Sequence, residues 1–173
     1  MNPGYRGSAS EGVRPTLEEM TIFSLSPNPA AEGWNQKGIM KAIQVKQPGG
    51  PEAMELVELP VPEPKANEAV VKLAASGVNF IDVYNREGRY KVPLPFVLGQ
   101  EGAGTVTSVG SDVKTVKVGD RVAWAGVLGS YAEYESVPAE RLVPVPSGVS
   151  DRDAAAAMLQ GMTAQYLSHS THP

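Results

Sequence analysis

The chain has 173 residues and a formal net charge of −4, with 42% apolar and 20% charged residues. These are the proportions of a globular protein rather than a fibrous or disordered one, and the length allows one ordinary domain with some further chain. Acidic and basic residues are interspersed, with no basic stripe to neutralise phosphates, so nucleic acid is not an expected partner.

The sequence contains no Cys, which excludes disulfides and thiolate metal ligands. No apolar run nears the roughly 20 residues that span a bilayer; the longest, Ala154 to Leu159, is far shorter. The first residues lack the basic-then-apolar order of a secretory signal, and Glu11, Glu18, Glu19 and Glu32 do not suit a transit peptide. A cytoplasmic protein with no membrane partner is expected.

Residues 1–39 mix Gly, Pro, Ser and Asn without a period of 2 or 3.6, and are expected to be a disordered extension. From Met40, short strand signals recur between Gly and Pro turns. Ile43 and Val45 alternate with Gln44 and Lys46, and Pro48-Gly49-Gly50-Pro51 marks a turn. Strands are then predicted at Met54 to Leu59, Ala69 to Ala75, Gly104 to Val109, Arg121 to Ala125, Tyr131 to Val137 and Leu142 to Val145. In the Ala69 strand, Val71 and Leu73 alternate with Val70, Lys72 and Ala74. Many short strands with such turns predict a mainly β fold, a closed or partly open barrel.

Two helices interrupt the strands. Phe80 to Glu87 is short and stopped by Gly88; the second starts at the Ser150/Asp153 capping box and runs through alanines to Leu167, with Gly161 expected to split it. The reading gives three parts: the extension at 1–39, a barrel domain at 40–149, and a helical connection at 150–173 that leads toward a domain the chain does not contain.

Three segments carry a family resemblance. Gly99-Gln100-Glu101-Gly102-Ala103-Gly104 resembles the Gly-His-Glu-x-x-Gly signature of the medium-chain dehydrogenase/reductase superfamily, with Gln100 where zinc-dependent members have His. Ser76-Gly77-Val78-Asn79-Phe80-Ile81-Asp82 resembles the segment that supplies a Cys ligand in zinc alcohol dehydrogenases, and here that position is Asn79. Gly119-Asp120-Arg121-Val122 resembles the superfamily's strand entry. They occur in the family's order across about Met40 to Leu167, and Asn79-Phe80-Ile81-Asp82-x-Tyr84 with Gly88-x-Tyr90 looks like the quinone oxidoreductase, or ζ-crystallin-like, branch.

Zinc is not expected. A catalytic zinc needs about three ligands from Cys, His, Asp or Glu; the only histidines, His169 and His172, lie far along the chain from Asn79 and Gln100, and Asn and Gln are poor zinc ligands. The resemblance implies a GroES-like partly open barrel whose nucleotide-binding Rossmann domain is absent, NADPH as cofactor, a quinone or other small electrophile as substrate, and a homodimer in the full-length form. It also implies that Asn79, Tyr84 and Tyr90 are catalytic residues and that Asn79, Tyr84, Thr163 and Gln160 touch the cofactor, with Met162 on the same wall. Without the nucleotide-binding half, the chain is expected to be inactive alone.

Each residue has a plainer reading. Asn79 is also a favoured N-cap for the Phe80 helix, and Tyr84 and Tyr90 suit core aromatics with bonded hydroxyls. Asp82 is read as a hydrogen-bonding residue, and Glu101 as a structural residue in a loop before a strand, paired with an Arg. Gly102-Ala103-Gly104 is only part of a dinucleotide fingerprint, because Thr107 fills the third glycine position and a strand follows. Ser168-His169-Ser170 lacks a Gly-x-Ser-x-Gly elbow, so no hydrolase is read there. Two other functions stay open: reduction of an enone or enoyl thioester with Tyr84 or Tyr90 as proton donor, and a non-catalytic barrel that binds a partner. Met158, Leu159, Met162 and Leu167 are expected to be partly exposed.

Overall fold

A computed structural model describes residues 38–171. The expected extension lies outside them apart from Gly38 and Ile39, and Ile39 already opens a strand. Strand β1 (Ile39–Val45) pairs antiparallel with β2 (Met54–Pro60), from Ile39↔Pro60 to Val45↔Met54. Between them the chain passes the Pro48–Pro51 turn and a single 3₁₀ turn at Pro51–Ala53. A long connection carries it to β3 (Glu68–Ser76) and then to α1 (Phe80–Arg86).

After α1, the two-residue β4 (Phe96–Val97) adds to the other edge of β1, an element no sequence pattern predicted. Two residues are too few for a visible period, and the pairing rests on Val45 meeting Phe96. The remaining strands are β5 (Glu101–Val109), β6 (Arg121–Ala125), β7 (Tyr134–Pro138) and β8 (Val143–Pro144). They form a five-stranded sheet in the order β7-β3-β5-β6-β8, beside the three-stranded β2-β1-β4.

The predicted strand over Tyr131 to Val137 is divided by a change of partner. Residues 131–133 run between the sheets: Ala132 bridges to Ala42, the Ile43 N–H donates to the Tyr131 carbonyl at 2.8 Å, and the Leu73 N–H donates to the Glu133 carbonyl at 2.9 Å. Only from Tyr134 does the chain join β3 as β7. The two sheets are therefore stitched along one line while β2 and β8 remain edges, the partly open barrel expected.

The core follows the pleat. Val71, Leu73 and Ala75 of β3 point inward while Lys72 and Ala74 point out, a period of two. Val70 departs from this expectation and is buried too, next to a register shift against β5 at Val70/Val71. The main cluster gathers Val71, Leu73, Val106, Val122, Val137 and a fully buried Trp124. Strand β5 approaches β3 so closely that a Cβ on Gly104 would stand 2.0 Å from the Lys72 carbonyl oxygen, which only glycine permits.

Helix α2 (Asp151–Gln165) is capped as predicted, with Ser150 Oγ accepting the Asp153 N–H at 3.1 Å. Its small residues Ala154 and Ala155 lie on Ala75, Ala103 and Ala123, so the helix packs on β3, β5 and β6. Gly161 does not split it. The helix runs through to Gln165 and ends in a π turn at Tyr166–Ser170, because a glycine on an open face loses propensity but meets nothing that bends the chain. Met162 and Leu167 are exposed and Met158 and Leu159 half-buried, as expected. No helix of the described residues is long and apolar enough to cross a membrane.

Candidate active site

The site is built where α1, β5 and α2 converge. Asn79 stands at the N-cap of α1 in an extended conformation and is buried. Asn79 and Asp82 close a capping box, in which Asp82 Oδ2 accepts the Asn79 backbone N–H at 2.9 Å. The Asn79 side chain also bridges two other elements. Its Nδ2 donates to Glu101 Oε2 at 2.8 Å, and its Oδ1 accepts from Gln160 Nε2 at 3.0 Å. The N-cap reading thus holds, and the same amide also reaches Glu101 and Gln160.

Glu101 corrects the sequence reading. It is the first residue of β5 rather than a loop residue, it has no exposure to solvent, and its partners are amides rather than an Arg. Besides Asn79, it accepts the backbone N–H of Leu159 in α2 at 2.6 Å, and its own N–H donates to Ser130 Oγ at 3.1 Å. Its surroundings are crowded: a Cβ on Gly77 would lie 2.2 Å from Glu101 Oε2 and 2.8 Å from the Ala155 carbonyl oxygen. The motif residues Gly77, Asn79 and Glu101 are therefore one packed unit.

Asp82 is a buried hydrogen-bonding residue, as read from the sequence. Its Oδ2 also accepts from the Tyr131 hydroxyl at 3.0 Å, whereas Oδ1 has no partner. Burial raises the Asp82 pKa above the ordinary carboxyl value, against the pull of the Asn79 N–H and the Tyr131 hydroxyl. Burial likewise raises the Tyr131 phenol, with the neighbouring Asp82 carboxylate adding to it. Tyr131 belongs to this cluster, and no sequence signal marked it, since its link to Asp82 spans 49 positions.

The predicted site residues fall into three groups. Asn79 and Gln160 are hydrogen-bonded to each other. Tyr84 and Tyr90 meet edge to face, 6.0 Å between ring centroids at 74°, and the Arg89 guanidinium lies 5.2 Å from the Tyr84 centroid. Tyr90 is 54% exposed, so the buried-aromatic reading fails for it. Thr163 and Met162 line a hollow of about 350 Å³ with Ala125, Gly126, Arg141, Leu159 and Tyr166, and the Thr163 hydroxyl donates to the Leu159 carbonyl at 2.8 Å. Among the described residues, no hydrogen bond or ring contact joins the tyrosine pair to Asn79.

Sequence reasoning passed over Phe80 and Val78, which flank buried Asn79 yet are 81% and 72% exposed. Among the described residues no cluster of three His, Cys, Asp or Glu has the spacing to hold a metal ion.

Residues 65–147 match the alcohol dehydrogenase GroES-like domain family. A quinone oxidoreductase of Pseudomonas aeruginosa is 48% identical over 134 residues, covering 76% of this chain and 41% of the relative. The crystal structure of the Escherichia coli quinone oxidoreductase complexed with NADPH superposes with a TM-score of 0.74 at 42% identity, over 76% of this chain and 41% of that one. A 2-haloacrylate reductase of a Burkholderia species is 38% identical over 144 residues, covering 78% of this chain and 42% of the relative. Residues 65–147 are thus similar to an alcohol dehydrogenase GroES-like domain, and the curated and structural neighbours include quinone oxidoreductases. It spans about two-fifths of the length of the relatives it matches.

Proposed function

We propose that this chain is the substrate-side part of a zinc-free, cytoplasmic NADPH-dependent quinone oxidoreductase that acts as a homodimer in its full-length form. The observation that carries the reading is the Asn79–Gln160 amide pair at the second half of α2, about one turn before the hollow at Thr163. Amides that both donate and accept, beside an apolar wall of Leu159, Met162 and Ala125, suit a flat ring bearing a carboxamide, which is the shape and polarity of a nicotinamide. NADPH, when bound, would supply the hydride that with one proton from water takes a quinone to a hydroquinone and leaves NADP⁺.

The chain's own residues orient and shield. Asn79, Gln160 and Thr163 hold the cofactor side, while Tyr84 and Tyr90 offer an aromatic face and phenol donors to the acceptor. The hydroquinone anion takes its one proton readily from water, so positioning supplies more of the rate here than acid catalysis. Carbonyl polarisation then falls to hydrogen bonds in place of a metal. A second reading, reduction of an activated carbon–carbon double bond with a tyrosine as proton donor, is favoured by the likeness to a haloacrylate reductase.

NADPH titration of the 173-residue chain, followed by amide NMR, tests the proposal. Perturbation of Asn79, Gln160 and Thr163 resonances without saturation at micromolar concentration is expected, because among the described residues no Gly-x-Gly-x-x-Gly turn leads from a strand into a helix to hold the pyrophosphate. Micromolar affinity, or no perturbation of those residues at millimolar NADPH, overturns it. In a full-length form, loss of enone but not quinone turnover on Tyr84→Phe or Tyr90→Phe selects the second reading.

A further inference from the structure

We propose that Glu101 is a positioning residue that fixes the direction of the Asn79–Gln160 hydrogen-bond chain and ties it to the main chain of α2. The proposal rests on the reading of Asn79 and Gln160 as cofactor-facing groups, and it adds what decides how those groups are turned.

An asparagine amide can present either end to a neighbour, because its oxygen and nitrogen are nearly the same shape. A carboxylate can only accept. Glu101 Oε2 therefore requires the Nδ2 end of Asn79, at 2.8 Å. The Oδ1 end is then turned to Gln160, which must answer with its Nε2, at 3.0 Å. Choice at one buried carboxylate propagates through two amides to the exposed rim, leaving Gln160 Oε1 and one further proton on each amide for a ligand.

The second Glu101 oxygen sets the position of the chain's far end. Oε1 accepts the Leu159 N–H at 2.6 Å, and Leu159 immediately precedes Gln160. In a regular helix that N–H points to the carbonyl four residues back; here a charged acceptor lies in its path, a shorter and stronger bond than a neutral one. Gly77 gives the carboxylate its room, since a Cβ there would come within 2.2 Å of Oε2. Ser130 Oγ, taking the Glu101 N–H, holds the strand end from the other side. One side chain, fully buried, thus fixes both the rotamer partner of Asn79 and the height of Gln160.

The test is side-chain and backbone amide NMR on the 173-residue chain, which needs neither cofactor nor turnover, so its outcome is separate from that of the quinone reading. In Glu101→Gln, the introduced carboxamide keeps an oxygen acceptor for Leu159 but offers a nitrogen donor to Asn79, so Asn79 and then Gln160 must reverse. The side-chain amide pairs of Asn79 and Gln160 should both move, the Leu159 amide should move upfield, and its hydrogen exchange should quicken about tenfold. Adding Asn79→Asp supplies a new acceptor that takes both the donor of the introduced carboxamide and that of Gln160. The Gln160 side-chain pair should then return toward its original position, while the Leu159 amide, still facing a neutral carboxamide oxygen, stays shifted. If the single variant leaves the Asn79 and Gln160 pairs unmoved, or if the double variant fails to restore the Gln160 pair, Glu101 is only structural and the proposal is overturned. Should the single variant not fold, restoration in the double variant decides alone.

Discussion

Two buried glutamates mark two kinds of interior. Glu101, in the seam between β5 and α2, is fully buried but accepts two N–H groups. Glu135, on β7 in the barrel core, is 5% exposed, and neither of its oxygens meets a hydrogen-bond partner. The Trp124 indole N–H faces it without full hydrogen-bond geometry and draws its pKa only partly back, so burial pushes the Glu135 carboxyl up to about 8. A carboxylate given donors can be part of a site; one placed among apolar side chains is held as an acid.

The largest effect that sharpens this contrast comes from the core. Trp124→Ala removes its largest fully buried side chain and should lower stability by about 3–5 kcal/mol in urea unfolding, while admitting water to Glu135. A loss smaller than about 1 kcal/mol would mean the core is not where this fold derives its stability.

Next comes the seam. Gly77→Ala sets a Cβ against Glu101 Oε2 and the Ala155 carbonyl, and should cost about 1–3 kcal/mol. Amide exchange should locate the loosening at residues 154–160 of α2 while β3 and β7 stay protected. Uniform loss of protection would erase the distinction between seam and core.

The smallest effect depends on pH. The folded pKa of Glu135 is raised above its ordinary 4.5, so its contribution to stability is fully present below about pH 4.5 and is lost as pH rises through about 8. Glu135→Gln should therefore leave Tm unchanged near pH 5 and raise stability by on the order of 2 kcal/mol near pH 9. Equal Tm values for the two proteins across that range would show that Glu135 is solvated or paired.

Strand β3 was legible because inward and outward residues alternate from Val71 to Ala75, β5 and β6 because short apolar runs lie between turns, and the Ser150 cap because its partner lies three positions on. Asn79 and Gln160 were singled out through the motif and the helix that carry them, and the structure hydrogen-bonds them to each other. Glu101 was misplaced in a loop, because a strand that begins at a glycine-rich motif shows no period there. Its link to Leu159 spans 58 positions, and that of Asn79 to Gln160 spans 81, distances over which no local pattern operates. Tyr131 was invisible for the same reason, and the change of partner at Ala132 cut short a strand whose pattern looked continuous.

The sequence by itself determined what depends on near neighbours and composition: the mainly β class, the helix starts, the lack of thiolate ligands and the motif that holds Asn79. Tertiary structure alone decided which way the Asn79 amide faces, why Glu101 tolerates burial and why Glu135 is held as an acid. Those outcomes depend on donors and acceptors brought together from distant strands and helices, and a buried polar group is defined by the partners that reach it.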